Sequence, residues 1–184
     1  MKRETGRILT AISLLVLCLL VYWAERNLDP YLRRILNLIA INIIWAVSFN
    51  LIYGYTGQYT LGHAGFIAIG AYAAALLTLA PAEKQSMFLL DPCIWPLNSI
   101  QWPFGPSLIL GAFLAAIAGF LIAFPALKLR GDYMAIVTLG FSEILRVIII
   151  NTQSITNGAL GLKAIPAHTN LFWSWGWAVF TIFV

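Results

Sequence analysis

Long apolar runs dominate this sequence of 184 residues and decide what it can fold into. A transmembrane helix needs about 20 mostly apolar residues, and six runs approach that length: residues 8–23, 35–53, 63–80, 107–127, 133–150 and a last run that begins near Leu171. Of all residues, 61% are hydrophobic and 10% are charged, whereas soluble domains have about 45–50% apolar and roughly 25% charged residues. We therefore predict an all-α integral membrane protein, a polytopic transmembrane helix bundle with about six spans.

The first and the last run each carry a further expectation. Residues 8–23 follow three basic residues and could be a cleaved signal peptide, but the small-residue cleavage pattern is missing. Tyr22 and Trp23 also suit the lipid–water interface, so we favour a retained helix. The sequence stops inside its last apolar run, and we expect a C-terminally incomplete chain. We divide it into residues 1–34, a helix with its connecting loop, and residues 35–184, the main transmembrane domain.

Residues 54–65 read GYTGQYTLGHAG and separate the second run from the third. Two interpretations are open: a cytoplasmic hairpin loop, or a broken or re-entrant helix at membrane depth. Unwound backbone at that depth survives only where protein buries it or where it lines a wet cavity, and transporters use such breaks to bind polar solutes. His63 could equally be a structural residue. On the second interpretation, the candidate substrate pathway consists of Asn50, Gly57, Gln58, Tyr59, Thr60, Gly62 and His63.

Two opposite charges interrupt the fifth run. Glu143 and Arg146 are three residues apart, so a helix places them on one face. A charge in the bilayer costs at least about 2.5–3.5 kcal/mol on insertion scales, and pairing lowers that cost. We predict a buried charge pair that faces the bundle as a structural support. A role in gating or in the substrate path is the alternative.

Small residues recur every four positions in the fourth run, at Gly111, Ala115, Gly119 and Ala123. This spacing places them along one helical face, where small side chains let helix backbones approach closely in lipid. We predict that this face packs against another helix and that Pro125 kinks or ends its own helix. Residues 81–106 are rich in proline and aromatic residues, which favours an interfacial loop that could contain a short surface helix.

Motifs for catalysis or cofactor binding are missing from the sequence. It has no Gly-Lys-Ser/Thr phosphate loop, no His-Glu-x-x-His, no nucleophile elbow and no haem-binding Cys-x-x-Cys-His. We therefore expect neither an enzyme nor a cofactor or metal, and ATP-driven work would need an ATPase on another chain. The net charge of +4 comes from short segments between apolar runs, which indicates membrane orientation and not nucleic-acid binding.

Three stretches together resemble one protein family. They read NLIYGYTGQYTLGHAGFIAIGAYAAALL at residues 50–77, LRGDYMAIVTLGFSEILRVIIIN at residues 129–151 and ITNGALGLKAIP at residues 155–166. Their order and spacing, above all GQYTLGHAGF and GDYMAIVTLGF, are similar to those of the LivM-type permease subunits of branched-chain amino acid ABC importers. The resemblance runs from about Leu36 to the end of the sequence.

The resemblance implies a permease subunit that translocates branched-chain or related amino acids across the bacterial inner membrane. Its implied partners are a related LivH-type permease subunit, two cytoplasmic ATPase subunits, a periplasmic or lipid-anchored substrate-binding protein and membrane lipid. Close relatives of the family resemble permeases for urea or short amides, which remain an alternative. A passive channel is another.

Basic residues alone leave the membrane orientation undecided, because five of them would lie on each side. The family order places the ATPase-docking loop after the last run, in the cytoplasm. Six crossings back from that loop put the N-terminus in the cytoplasm as well. This count fails if residues 54–65 re-enter the membrane without crossing it.

Overall fold

The computed structural model describes residues 2–88, 92–129, 132–163, 165–166 and 169–183, without the side chains of residues 2–9, 11 and 132. Over these residues the regular structure is entirely helical, which confirms the predicted all-α class. The helices are α1 (Lys2–Asn27), α2 (Pro30–Asn50), α3 (His63–Thr78), α4 (Pro81–Met87), α5 (Phe104–Ala126), α6 (Asp132–Asn151), α7 (Gln153–Thr156) and α8 (Leu171–Phe183). A π-helical turn, Leu51–Tyr55, follows α2, and a 3-10 turn, Gly158–Leu160, follows α7.

Three helices of the described residues are long and apolar enough to cross a membrane: Pro30–Tyr55, Phe104–Ala126 and Tyr133–Asn151. Helices α3 and α4 would form a fourth span only as a pair, and they are bent by 116°. The prediction of about six spans is therefore somewhat high for this part of the chain. One reason is the length of α3: its 16 residues rise about 24 Å, less than a hydrocarbon core of roughly 30 Å.

Each predicted apolar run nevertheless corresponds to a helix, and the differences lie at the helix ends. Helix α2 begins five residues before the predicted start because Pro30 occupies its first turn, where a missing N–H costs nothing. Helix α5 begins at Phe104 and contains Pro125 one residue before its end, as expected for a proline that stops a helix. Helix α4 is the short helix anticipated within residues 81–106.

The helices group into two compact units. The first unit is Met1–Leu51 with Thr169–Val184, and it contains α1, α2 and α8. The second unit is Ile52–His168, and it contains α3 to α7. The division of the chain after residue 34, made from the sequence, stays a prediction.

In the first unit, α8 packs against α1 and α2. Its buried face includes Leu171 and Ala178, each only 1% exposed. The Ser174 hydroxyl donates a hydrogen bond to Asn37 Oδ1 at 2.8 Å, and the Leu171 amide donates to Glu25 Oε2 at 3.2 Å. The polar side chain of Asn37, a costly group in hydrocarbon, therefore has a partner inside the protein.

In the second unit, glycines bring α3 and α5 together. A Cβ atom placed on Gly111 would lie 2.7 Å from the carbonyl oxygen of Gly70 and 3.3 Å from the Cβ atom of Ala74. A Cβ atom on Gly70 would lie 3.6 Å from that of Ala115. The two backbones thus approach as closely as small residues permit. Of the four small residues singled out in the sequence, Gly111 is buried, whereas Ala115, Gly119 and Ala123 are half-buried.

The side chain of Lys84 on α4 is fully buried. Its ammonium group donates hydrogen bonds to the carbonyl oxygens of Leu97 and Ile100, both at 2.7 Å. Hydrogen bonds from a charged donor are roughly twice as strong as neutral ones, so this lysine holds the loop before α5 against α4. A small apolar cluster that contains Phe88 and Cys93 lies in the same part of the unit.

The contact at Gly111 predicts that Gly111→Ala destabilises the protein. The new methyl group would meet the backbone of α3, and such overpacking costs about 1–3 kcal/mol. That cost exceeds the roughly 1 kcal/mol which alanine gains over glycine inside a helix. Thermal unfolding of the full-length protein in detergent measures the difference.

Gly119→Ala on the same helix is the matched control, because a Cβ atom there meets only the Phe66 ring, at 3.9 Å. This variant should be neutral or more stable than the original protein. Equal melting temperatures for the two variants would contradict the prediction.

Candidate functional site

The chain leaves α2 through the π-helical turn Leu51–Tyr55 and resumes a regular helix only at His63. The Gly57 amide donates to the Tyr53 carbonyl at 3.1 Å. Gly57 then adopts a left-handed φ of 63°, which glycine reaches without steric cost. The predicted break at residues 54–65 is therefore shorter than expected: residues 54–56 still belong to the helical turn that follows α2, and residues 63–65 already belong to α3. The part without helical structure is residues 57–62, which we call the unwound segment.

A buried threonine of α6 binds the backbone of the unwound segment. The Leu61 amide donates to Thr138 Oγ1 at 3.0 Å, and Thr138 is 4% exposed. The same hydroxyl can donate within its own helix, to the carbonyl oxygen of Met134 at 2.9 Å or of Ala135 at 3.0 Å. Sequence reasoning missed Thr138, although a hydroxyl within the apolar residues 133–150 was an available signal.

Two glycines allow the start of α3 to approach α6 closely. A Cβ atom on Gly62 would lie 3.1 Å from the carbonyl oxygen of Thr138. A Cβ atom on Gly65 would lie 2.9 Å from Leu145 Cδ1 and 3.4 Å from Ser142 Cα. A side chain at position 62 would press on the backbone of α6 beside Thr138, whereas one at position 65 would mainly displace the end of the Leu145 side chain. The hydrogen bond between Leu61 and Thr138 therefore depends chiefly on Gly62.

Six of the seven predicted pathway residues lie in or beside the unwound segment: the two glycines at 57 and 62 and the residues Gln58, Tyr59, Thr60 and His63. Tyr59 is 47% exposed, and its ring packs edge-on against Tyr53 with the centroids 5.8 Å apart. The other three side chains are half-buried. Asn50 is exposed at the end of α2, in the other unit. Contact of these residues with a solute stays a prediction.

A groove of about 350 Å³ lies between α3 and α6 in the second unit. Ala64, Gly65 and Ala68 line it from α3, and Glu143, Arg146 and Ile149 are among its residues from α6. The lining is thus mainly apolar, with one acidic and one basic group. Another hollow, of about 440 Å³, runs along α8 and is lined by Gly176 and aromatic residues without a charge, which is typical of a surface that faces lipid.

The two charged residues of the groove form an ion pair. Arg146 Nη1 lies 3.2 Å from Glu143 Oε2, and the two side chains are 68% and 57% exposed. The sequence prediction described this pair as buried, but the described part of the chain leaves it exposed. The reason is that helical spacing fixes which residues share a face and does not fix what covers that face. Any group that covers the pair must therefore come from outside the second unit.

An unwound segment between helices and a charged groove beside it are features of membrane transport proteins. Residues 31–180 match the family described as branched-chain amino acid transport system / permease component. The chain therefore belongs to this permease family. It is 40% identical over 135 residues to the high-affinity branched-chain amino acid transport system permease protein LivM of Escherichia coli (strain K12). It is also 40% identical over 129 residues to the protein of the same name from Salmonella typhimurium (strain LT2).

These two similarities cover 73% and 70% of this chain but 27% and 26% of the two relatives. The chain thus spans about a quarter of the length of the curated relatives that it matches. Comparison with solved structures gives no match.

The hydrogen bond from Leu61 predicts that Thr138→Val loosens the unwound segment. Valine keeps the shape but leaves a backbone N–H without its acceptor, which costs about 1–3 kcal/mol when the group is buried. Hydrogen exchange of residues 57–62, followed by mass spectrometry of the full-length protein, should become faster. Thr152→Val is the matched control, because the Thr152 hydroxyl, just after α6, donates locally to the Ile148 carbonyl of that helix at 2.7 Å. Unchanged exchange in Thr138→Val would show that this bond does not hold the segment.

Proposed function

We propose that this chain is part of a permease subunit of an ABC importer that carries branched-chain or related amino acids across the bacterial inner membrane. The observation that carries the proposal is the family match over residues 31–180. The names of the two similar proteins, both high-affinity branched-chain amino acid permeases, supply the class of solute.

The unwound segment supports a transport role because it offers polar backbone groups between two helices. In this proposal, Gln58, Thr60 and His63 hydrogen-bond the passing solute, while Asn50, Tyr59 and the two glycines at 57 and 62 shape the route. Helix α3 begins at His63, and the positive end of its dipole there favours a nearby carboxylate. The bond between Leu61 and Thr138 holds this backbone in one position.

A permease component needs other proteins to supply energy, to complete the conducting path and to deliver the solute. A permease is a conducting subunit and not an enzyme, so two ATPase subunits on separate chains supply the energy. A related LivH-type permease subunit completes the conducting pair, and a periplasmic or lipid-anchored binding protein delivers the solute. ATP binding then shifts the pair between outward-facing and inward-facing states.

The proposed orientation places the N-terminus in the cytoplasm. This orientation requires an even number of crossings before the ATPase-docking loop, which in the family follows the last apolar run. The orientation is tested in cells with a reporter protein that is active only in the cytoplasm and is fused to the N-terminus. Activity of a reporter that works only in the periplasm would contradict it.

Uptake by the reassembled importer tests the proposed function. Proteoliposomes that contain the full-length subunit, its permease partner, the ATPases and the binding protein should accumulate radiolabelled L-leucine only with ATP. Flux of leucine without ATP would indicate a passive channel. Uptake of urea or acetamide in place of leucine would indicate the alternative solute class, and absence of any flux would contradict the transport assignment.

The pathway residues predict that Gln58→Ala lowers leucine uptake in the same proteoliposomes. Loss of one hydrogen bond to the solute costs about 0.5–1.5 kcal/mol, which corresponds to a loss of roughly two- to tenfold. Gln101→Ala is the matched control, since Gln101 is exposed in the loop before α5. His63→Ala should behave like Gln58→Ala. Uptake equal to that of the control in both variants would remove these residues from the pathway.

A further inference from the structure

We propose that the groove between α3 and α6 is a binding site for the zwitterionic end of an aliphatic α-amino acid, in which Glu143 binds the ammonium group and Arg146 the carboxylate. This inference rests on the proposed transport function. It assigns the place within the subunit where the solute is held.

The position of the ion pair is the first argument. Glu143 lies near the middle of the candidate span Tyr133–Asn151, with Arg146 one turn further along, yet their side chains are 57% and 68% exposed. Charged groups at that depth are costly when they face lipid, and they therefore face a protein or a wet cavity and mark routes for solutes. The exposed pair thus lies on a wall of a route or on a surface that a group from outside the second unit covers.

Charge complementarity favours a solute that carries both charges. The acidic and the basic group lie 3.2 Å apart, so an amino acid can place its ammonium group against Glu143 and its carboxylate against Arg146. The planar guanidinium group of an arginine can bind a carboxylate through two parallel hydrogen bonds. A solute with only one of the two charges would leave one member of the pair without a new partner.

The remainder of the groove fits an aliphatic side chain. Ala64, Gly65 and Ala68 leave space on α3, and Ile149 and Ile150 provide an apolar wall on α6. The volume of about 350 Å³ lies at the lower end of the range of small-molecule sites, roughly 300–1,000 Å³. The charge pair thus matches the ammonium and carboxylate groups of a small aliphatic amino acid, and the apolar part of the groove matches its side chain.

Cysteine labelling during transport tests the site. In the full-length subunit, Cys18 and Cys93 are first replaced by alanine, and Ala68→Cys then places a thiol in the groove. Ala71→Cys is the matched control, because Ala71 is exposed on the same helix and does not line the groove. The complete complex with binding protein and ATP is treated with a small maleimide, with and without saturating L-leucine.

Leucine should slow the labelling of Ala68→Cys about tenfold and leave that of Ala71→Cys unchanged. Fast labelling of Ala68→Cys with and without leucine would overturn the site. Slow labelling under both conditions would also overturn it, since a partner chain would then cover the groove. L-leucinamide and 4-methylpentanoate, each with one of the two charges, should protect at least about tenfold more weakly than leucine.

The charge variants separate binding from structural support. Glu143→Gln and Arg146→Gln should each abolish protection of Ala68→Cys by leucine and lower uptake about tenfold, while the complex still assembles and hydrolyses ATP. Lys163→Gln, at an exposed residue outside the groove, is the control. Full protection in both variants would overturn the assignment even if unmodified complexes transport leucine. Absence of uptake by the unmodified complex would instead contradict the proposed function itself.

Discussion

Hydrocarbon offers no partner to a backbone N–H or C=O group, and the second unit depends on how the protein meets this constraint at residues 57–62. The hydroxyl of Thr138 accepts a hydrogen bond from the Leu61 amide and donates one to a carbonyl oxygen of its own helix. One buried side chain thus provides a partner for a backbone N–H of the unwound segment and for a backbone C=O of α6. Gly62 lets the start of α3 come close enough to α6 for this bond. The same helix pair then forms the charged groove, so that the break and the groove share one structural origin.

The helices of this protein could be predicted from apolar run length, because a bilayer leaves the chain few alternatives. Their ends could not. The glycines at 54 and 65 suggested a longer break, whereas the backbone hydrogen bonds continue through the π-helical turn Leu51–Tyr55 and resume at His63. The span prediction was somewhat high for a related reason at α3: apolar composition shows that this segment tolerates lipid, but its helical length and the bend after it decide whether it crosses.

The candidate site could be predicted only as far as local spacing reaches. An interval of three residues predicts that Glu143 and Arg146 meet, and they do, but exposure depends on neighbours that no local pattern specifies. Lys84 lies in residues 81–106, where the sequence predicted an interfacial loop, and its side chain is fully buried. Its acceptors, Leu97 and Ile100, lie 13 and 16 residues away in the chain. Thr138 is likewise significant only because a distant segment approaches it.

The short length of α3 has a consequence for the surrounding lipid. Its 16 residues rise about 24 Å, and α4 departs from its end at 116° instead of extending the apolar path. A bilayer with a hydrocarbon core of roughly 30 Å must become thinner beside such a helix or leave polar ends in contact with acyl chains, at a cost that grows with each ångström of mismatch. Acyl-chain length in the host membrane therefore acts on the same helix that carries the small-residue wall of the groove.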